Sequence, residues 1–183
     1  GLHAEVARLV EVAAAICHDH LELRDHTRRG IRESLVELLV AMPVYRAYVV
    51  PGEPAPDEAR RTLAVAAEVA TGNLAEDRLG TLGLVVQLAL GGLGRGPHRD
   101  EFVVRFQQTC GPVMAKGVED TAFYRYNTLL ALNEVGGNPA SPSLTTRDFH
   151  LFNVHRALSW PNAMTATSTH DSKLSEDARV RIA

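Results

Sequence analysis

MTATSTHDSKLSED, residues 164–177, changes character twice within a short stretch of the chain. Small and β-branched side chains fill positions 164–169, and this composition predicts an inner β-strand. Ser175 and the acids after it predict the capped start of a helix, because acidic groups are favoured at its positive end. Strand, polar loop and helix form a βα unit. In a (β/α)₈ barrel the residues after a strand line the active-site face, so we expect His170 and Asp171 there.

The chain before this stretch is predicted to be mainly α-helical, because apolar residues recur through most of it at helical spacing. Helices are predicted over residues 2–20, 27–42, 57–71, 74–90, 98–109 and 145–160. Thr27 is an expected cap, and Thr145 with Asp148 forms an expected capping box. Residues 44–50 are predicted to be a short strand or an extended segment.

Composition excludes several classes of function. The 183 residues are 45% hydrophobic and 22% charged with a net charge of −3, as in an ordinary globular protein. The sequence has no basic stripe of the kind that binds nucleic acid. Its longest apolar runs are too short to span a membrane. Cys17 and Cys110 are too few for a disulfide scaffold, which favours a reduced, cytoplasmic protein.

A cluster near the end of the first helix contains metal-ligand residue types, namely Cys17, His18, Asp19, His20 and His26. Consecutive residues on a helix point in different directions, and no second cluster completes a tetrahedral site. We therefore interpret it as a helix end with surface histidines, and we predict neither a metal nor an organic cofactor.

Four segments resemble one known family. They are PVYRAYV (43–49), GPVMAKGVEDTAFYRY (111–126), LNEVGGNP (132–139) and TSTHDSKLSED (167–177). Together they resemble the maltooligosyl trehalose synthases, glucosylmutases of the α-amylase-type glycoside hydrolase family 13. The resemblance implies conversion of the reducing-end α-1,4 link of a maltooligosaccharide to an α,α-1,1 link, in trehalose biosynthesis. The parent enzyme would be an isomerase, a 1,4-α-D-glucan 1-α-D-glucosylmutase.

The resemblance also implies that part of the catalytic apparatus is missing here. Segments such as DGLRIDH and VEKIL, which carry the family's nucleophile and acid/base, do not occur in this sequence. Asp171 corresponds to the third carboxylate, which stabilises the transition state, and His170 to its sugar-binding neighbour. Ser172 and Leu174 depart from the family, which usually has Thr and Arg there. We therefore expect an internal fragment, cut at both ends and inactive alone.

The fold class implied is mainly α: a helical insert over residues 1–110, then an active-site-lining segment over 111–183. The second part would contain one or two βα elements excised from a (β/α)₈ barrel. Without the resemblance, a simpler alternative for Asp171 or Ser172 is a cap for the next helix.

Further substrate-binding residues follow from the same resemblance. The expected set is His170, Lys116, Glu119, Phe123, Tyr124, Tyr126 and Lys173. Without it, Lys116, Glu119 and Asp120 fit a solvated helix start equally well. Asn133 and Glu134 fit either sugar binding or orientation of the glycine turn that follows them.

Partners follow from the same interpretation. We expect a maltooligosaccharide substrate, the remainder of the parent barrel, and self-association of the fragment through unpaired strand edges. We expect no nucleic acid and no membrane. Two alternatives remain, a self-standing helical binding or scaffold module and another α-amylase-type transglycosylase.

Overall fold

The computed structural model describes residues 2–183, which divide into two compact units, with the boundary along the chain between Lys116 and Gly117. We call them the N-terminal unit and the C-terminal unit. Helices dominate both, so the prediction of a mainly α chain is confirmed. No helix formed by residues 2–183 has the length and apolar character that crossing a bilayer requires. The prediction of an insert over 1–110 and a barrel segment over 111–183 stays a prediction.

The predicted strand at residues 164–169 is wrong, since no β-strand occurs within residues 2–183. The segment is irregular, and the side chain of Met164 is almost fully exposed. A strand is stable only when its backbone groups pair with a neighbour, and this part of the chain offers none. The excision of βα elements from a barrel is therefore not supported by any strand in this structure.

Five α-helices build the N-terminal unit. They are α1 (His3–Asp19), α2 (Arg28–Ala41), α3 (Asp57–Thr71), α4 (Leu79–Ala89) and α5 (Pro97–Met114). Short 3₁₀ turns at Leu21–Leu23 and Glu76–Arg78 precede α2 and α4. The Thr27 hydroxyl caps α2 by accepting a hydrogen bond from the Gly30 amide, as predicted.

One hydrophobic core holds these helices together. α2 is central, because it packs against α1, α3, α4 and α5. Fully buried side chains come from every helix, among them Leu9, Ile31, Leu35, Leu63, Val85, Phe102 and Phe106. The rings of Phe102 and Phe106 stack with centroids 6.2 Å apart on the inner face of α5. Burial of the apolar surface of this core, mostly aliphatic with the two rings, is the main favourable contribution to the stability of this unit.

An irregular segment after α2 contacts α5 through a buried side-chain amide. The Gln107 Oε1 atom accepts from the Val49 amide at 2.9 Å, and the Gln107 amide nitrogen donates to the Val49 carbonyl at 2.6 Å. The side chain thus satisfies both backbone groups of Val49, as a neighbouring strand would. Residues 44–50 form no strand: Val44 and Tyr45 lie in a bend, and Tyr48 has a positive φ of 55°.

The helix predicted to end at Thr109 continues to Met114 with Pro112 inside it, and a π-helical stretch follows at Ala115–Ala122. Pro112 has no amide hydrogen to donate to the preceding turn, a defect that commonly bends or widens a helix. The widened turns extend the helix where the sequence predicted a break.

The C-terminal unit has short helices and long irregular connections. After the π-helical stretch come α6 (Phe123–Arg125), a 3₁₀ turn (Leu130–Leu132), α7 (Thr146–Ser159) and α8 (Glu176–Ile182). The Thr145 hydroxyl caps α7 by accepting from the Asp148 amide at 3.1 Å, as predicted. α8 packs against the 3₁₀ turn, and this contact brings the end of the chain to the LNEVGG segment.

Candidate functional site

A short turn presents His170 and Asp171 in the C-terminal unit. The Thr169 amide donates to the Ser172 hydroxyl at 2.8 Å, and the Ser172 amide donates to the Thr169 carbonyl at 3.1 Å. These two hydrogen bonds close the turn around His170 and Asp171. Ser175, not Asp171 or Ser172, caps α8. The alternative that Asp171 or Ser172 caps the helix is therefore wrong.

The carboxylate of Asp171 points into solvent. Its side chain is 73% exposed, and one oxygen lies 3.4 Å from Nε2 of His170. An ionised carboxylate of this kind accepts hydrogen bonds from hydroxyl groups, and such charge-assisted bonds are stronger than neutral ones. The pair therefore offers acceptor and donor groups to a polyhydroxyl ligand, while the turn supplies no wall of its own.

Lys173 lies beside the turn and contacts the π-helical stretch. Its Nζ atom is 2.9 Å from an oxygen of Asp120 and 5.7 Å from the centroid of the Tyr124 ring. The hydrogen bond to Asp120 raises the pKa of Lys173 above its ordinary value, so the ammonium is charged at neutral pH. Two sequence-predicted residues, Lys173 and Tyr124, are thus brought together.

The three predicted aromatic residues are in different environments. Phe123 is buried, whereas Tyr124 is 75% exposed and Tyr126 is 40% exposed. The Asn133 side-chain amide donates to the carbonyls of Phe123 and Tyr126, so this nitrogen is used within the protein. Tyr124 is consequently the aromatic side chain best placed to meet a ligand.

A small cavity of about 220 Å³ lies beside Tyr124 and Lys173. It is lined by Phe123, Tyr124, Leu130, Asn133, Lys173, Leu174 and Ile182. Pockets that enclose a drug-sized ligand measure ~300–1,000 Å³, so this cavity alone is too small for an oligosaccharide. Leu174, which replaces the usual Arg of the resembling family, contributes apolar surface here.

Lys116 and Glu119 lie on the same π-helical stretch. Lys116 is exposed and Glu119 is buried. Lys116 is the last residue of the compact N-terminal unit. Glu119 belongs to the C-terminal unit, as do the other expected site residues. Their substrate-binding roles stay predictions.

The histidines near α1 are engaged by other side chains. Nδ1 of His26 is 2.9 Å from the Thr81 hydroxyl, and Nε2 of His20 contacts the Arg99 guanidinium. Cys17 is buried. Within residues 2–183, no three His, Cys, Asp or Glu side chains are grouped so that they could hold a metal ion.

Sequence reasoning left the role of Glu134 open, and the structure places its carboxylate against the backbone that follows Asp171. The two segments are about forty positions apart, so no local pattern or helical spacing could have paired them. The one available signal was that both segments resemble the same family.

Comparison with known proteins gives relatives of one name. Two curated proteins from Mycobacterium tuberculosis, strains CDC 1551 / Oshkosh and ATCC 25618 / H37Rv, are each named "Putative maltooligosyl trehalose synthase". Each is 47% identical to this chain over 97 residues, which is 53% of the chain and 12% of the relative. No protein-family model matches the chain, and no solved structure matches it. The chain is thus similar, over about half its length, to a small part of proteins named as trehalose-forming synthases.

Proposed function

We propose that this chain is an internal part of a maltooligosyl trehalose synthase. The observation that carries the proposal is the 47% identity over 97 residues to the proteins of that name. The proposed reaction is the intramolecular conversion of the reducing-end α-1,4 link of a maltooligosaccharide to an α,α-1,1 link. The proposed enzyme is an α-amylase-type glucosylmutase that acts in the cytoplasm.

The chemistry proposed for Asp171 is stabilisation of the transition state. Retaining glycoside transfer passes through an oxocarbenium-like state, in which hydrogen bonds to ring hydroxyls strengthen. The exposed carboxylate of Asp171 would accept such hydroxyls, with His170 beside it and the Tyr124 ring as a wall against water. Water must be excluded, because hydrolysis competes with transfer at the same covalent intermediate.

The remainder of the parent enzyme is the proposed partner of α7. Within this chain no residue of α7 is buried, although Phe149, Leu151, Phe152 and Leu158 are large and apolar. A helix exposed on all sides gains nothing from burial and is marginal at this length. Further chain of the parent would cover it. In isolation, the same surface would favour self-association of the fragment.

The test is Asp171→Asn in the complete enzyme, with maltopentaose as substrate. The hydrogen bonds of Asp171 should strengthen as the sugar ring flattens, so the loss falls on kcat more than on substrate binding. We expect kcat to fall by about a thousandfold, which corresponds to ~4 kcal/mol. Product analysis should detect trehalose-terminated oligosaccharide from the wild type, and none from the isolated 183-residue chain.

Asp177→Asn is the matched control, because Asp177 is an exposed acid in the first turn of α8. It should leave kcat unchanged. A value for Asp171→Asn within about threefold of wild type would remove Asp171 from the site. Activity of the isolated chain would contradict the fragment proposal. A complete protein that binds oligosaccharide without converting it would favour the scaffold alternative.

A further inference from the structure

The carboxylate of Glu134 accepts four hydrogen bonds, two on each oxygen. Oε1 accepts from the amides of Val135 and Lys173, both at 2.8 Å. Oε2 accepts from the Leu174 amide at 3.2 Å and from the Arg179 guanidinium at 3.0 Å. Two of these donors, the amides of Lys173 and Leu174, lie 39 and 40 positions further along the chain.

The surroundings of Glu134 keep this carboxylate ionised. Its side chain is only 17% exposed. Burial raises the pKa of Glu134, but the N–H groups of Lys173, Val135 and Leu174 and the charge of Arg179 outweigh that effect and lower it overall. Hydrogen bonds to an ionised acceptor are the stronger kind, so these contacts hold firmly at neutral pH.

The backbone fixed by Glu134 directly follows Asp171. The amides of Lys173 and Leu174 donate to its carboxylate, and the Arg179 guanidinium donates to the Leu174 carbonyl at 3.3 Å. The Leu174 residue is therefore held by both its N–H and its C=O group. On the other side of Asp171, hydrogen bonds between Thr169 and Ser172 close the turn, and the Asp171 amide donates to the Thr169 hydroxyl at 3.3 Å.

The carboxylate of Asp171 has few contacts that could fix its position. Apart from His170 at 3.4 Å, no side-chain partner of its carboxylate is present in the described chain, and the side chain is largely exposed. Its location follows from the path of its backbone. After Asp171, that path is set where Glu134 and Arg179 hold Lys173 and Leu174.

We propose that Glu134 is a positioning residue that determines where Asp171 and His170 stand by holding the backbone after them. It touches no substrate in this proposal and acts on the reaction only through the turn. The effect on catalysis rests on the proposed function, whereas the effect on the turn does not.

Glutamine cannot replace Glu134 in this arrangement. Both carboxylate oxygens face N–H donors, whereas a glutamine side chain has one acceptor oxygen and an NH₂ group that donates. In either orientation of the amide, the NH₂ group of glutamine faces two N–H donors and can accept from neither. Glu134→Gln should therefore release one side of the held backbone, although its volume is almost unchanged.

The first measurement is amide hydrogen exchange in the 183-residue chain. Glu134→Gln should lower the protection of at least one of the Lys173 and Leu174 amides by about tenfold or more, since the amide that faces the NH₂ group loses its acceptor. Glu176→Gln is the control. It removes a carboxylate of the same unit that accepts from the Ser168 hydroxyl, a bond that glutamine can also accept. The control should keep the protection of Lys173 and Leu174.

The second measurement is kinetic and uses the complete enzyme. Glu134→Gln should lower kcat at least tenfold while KM changes much less, because the displaced Asp171 serves the transition state. Combining it with Asp171→Asn should cost little beyond Asp171→Asn alone, because Glu134 acts through Asp171. Glu134→Asp, which keeps the charge on a shorter side chain, should recover part of kcat. It also serves if Glu134→Gln fails to fold.

The outcomes separate the two proposals. Unchanged protection of Lys173 and Leu174 in Glu134→Gln would overturn the positioning role. Losses that multiply in the double variant would also overturn it, because they would indicate general destabilisation. If protection falls while Asp171→Asn itself is fully active, the hold on the turn stands and the proposed function fails.

Discussion

Tyr48 is, among residues 2–183, the one residue other than glycine with a positive φ. Its side chain is 71% exposed, and the Arg46 guanidinium lies 5.8 Å from its ring centroid. A left-handed conformation brings Cβ close to the following carbonyl, at a cost of ~1–2 kcal/mol. The packing of the neighbouring Val49 on Gln107 must offset that cost, because it fixes the path of the chain at this point.

A pair of substitutions tests the strain at Tyr48. Tyr48→Ala and Tyr48→Gly both remove the ring, but only glycine removes Cβ. We expect the glycine variant to be more stable than the alanine variant by ~1 kcal/mol in urea unfolding. At Arg46, whose φ is not positive, the same pair should show the opposite order, because glycine loses more backbone entropy. Alanine more stable than glycine at Tyr48 would mean that the position is unstrained.

At the scale of elements, the polar contact between α5 and the irregular segment after α2 depends on Gln107. Its amide is the hydrogen-bond partner of both backbone groups of Val49, and the described chain has no strand that could replace it. Buried backbone groups without partners are costly. This side chain therefore supplies the polar connection between the irregular segment after α2 and the helical core, beside the buried side chains of Ala47 and Val49.

Gln107→Leu, a change of similar volume, tests this connection. The variant leaves the N–H and C=O groups of Val49 without a partner, so we expect a loss of ~1–3 kcal/mol in the free energy of unfolding. Gln108→Leu is the matched control, because the next residue is exposed and should change stability by less than ~0.5 kcal/mol. Equal effects of the two substitutions in urea unfolding would contradict the role of Gln107.

At the scale of the whole molecule, local signals predicted the elements well. Thr27, Thr145 and Ser175 begin helices as their cap positions indicate, because a cap is decided by a few adjacent residues. The strand at residues 164–169 was wrong, because strand composition describes a preference that only a pairing neighbour can realise.

The site was predicted less completely, for a similar physical reason. His170 and Asp171 lie in a turn where the sequence predicted a polar loop, since this feature is local. The substrate-binding roles of His170, Lys173 and Tyr124 stay predictions. The contacts of Glu134 could not be predicted, because they join segments that meet only in the folded chain. The same holds for Gln107 and Val49, which are separated by 58 positions.

Alkylation of the two buried cysteines can report when the helices around them separate. Cys17 on α1 and Cys110 on α5 are free thiols, 2% and 1% exposed, and burial raises the pKa of both, that of Cys110 to about 12. A thiol reagent reacts with the thiolate, so alkylation requires those packed helices to separate first. We expect mass spectrometry to find alkylation at least about a hundredfold slower in buffer than in denaturant.

Alkylation at the denatured rate in buffer would mean that the core around α1 and α5 is open. The sequence holds only these two cysteines, and both lie in the N-terminal unit. Each alkyl group added to a cysteine therefore reports one opening of that unit. The C-terminal unit, which carries Asp171, has no cysteine. The alkylation rate therefore measures opening of the N-terminal unit alone, even while substitutions are made in the C-terminal unit.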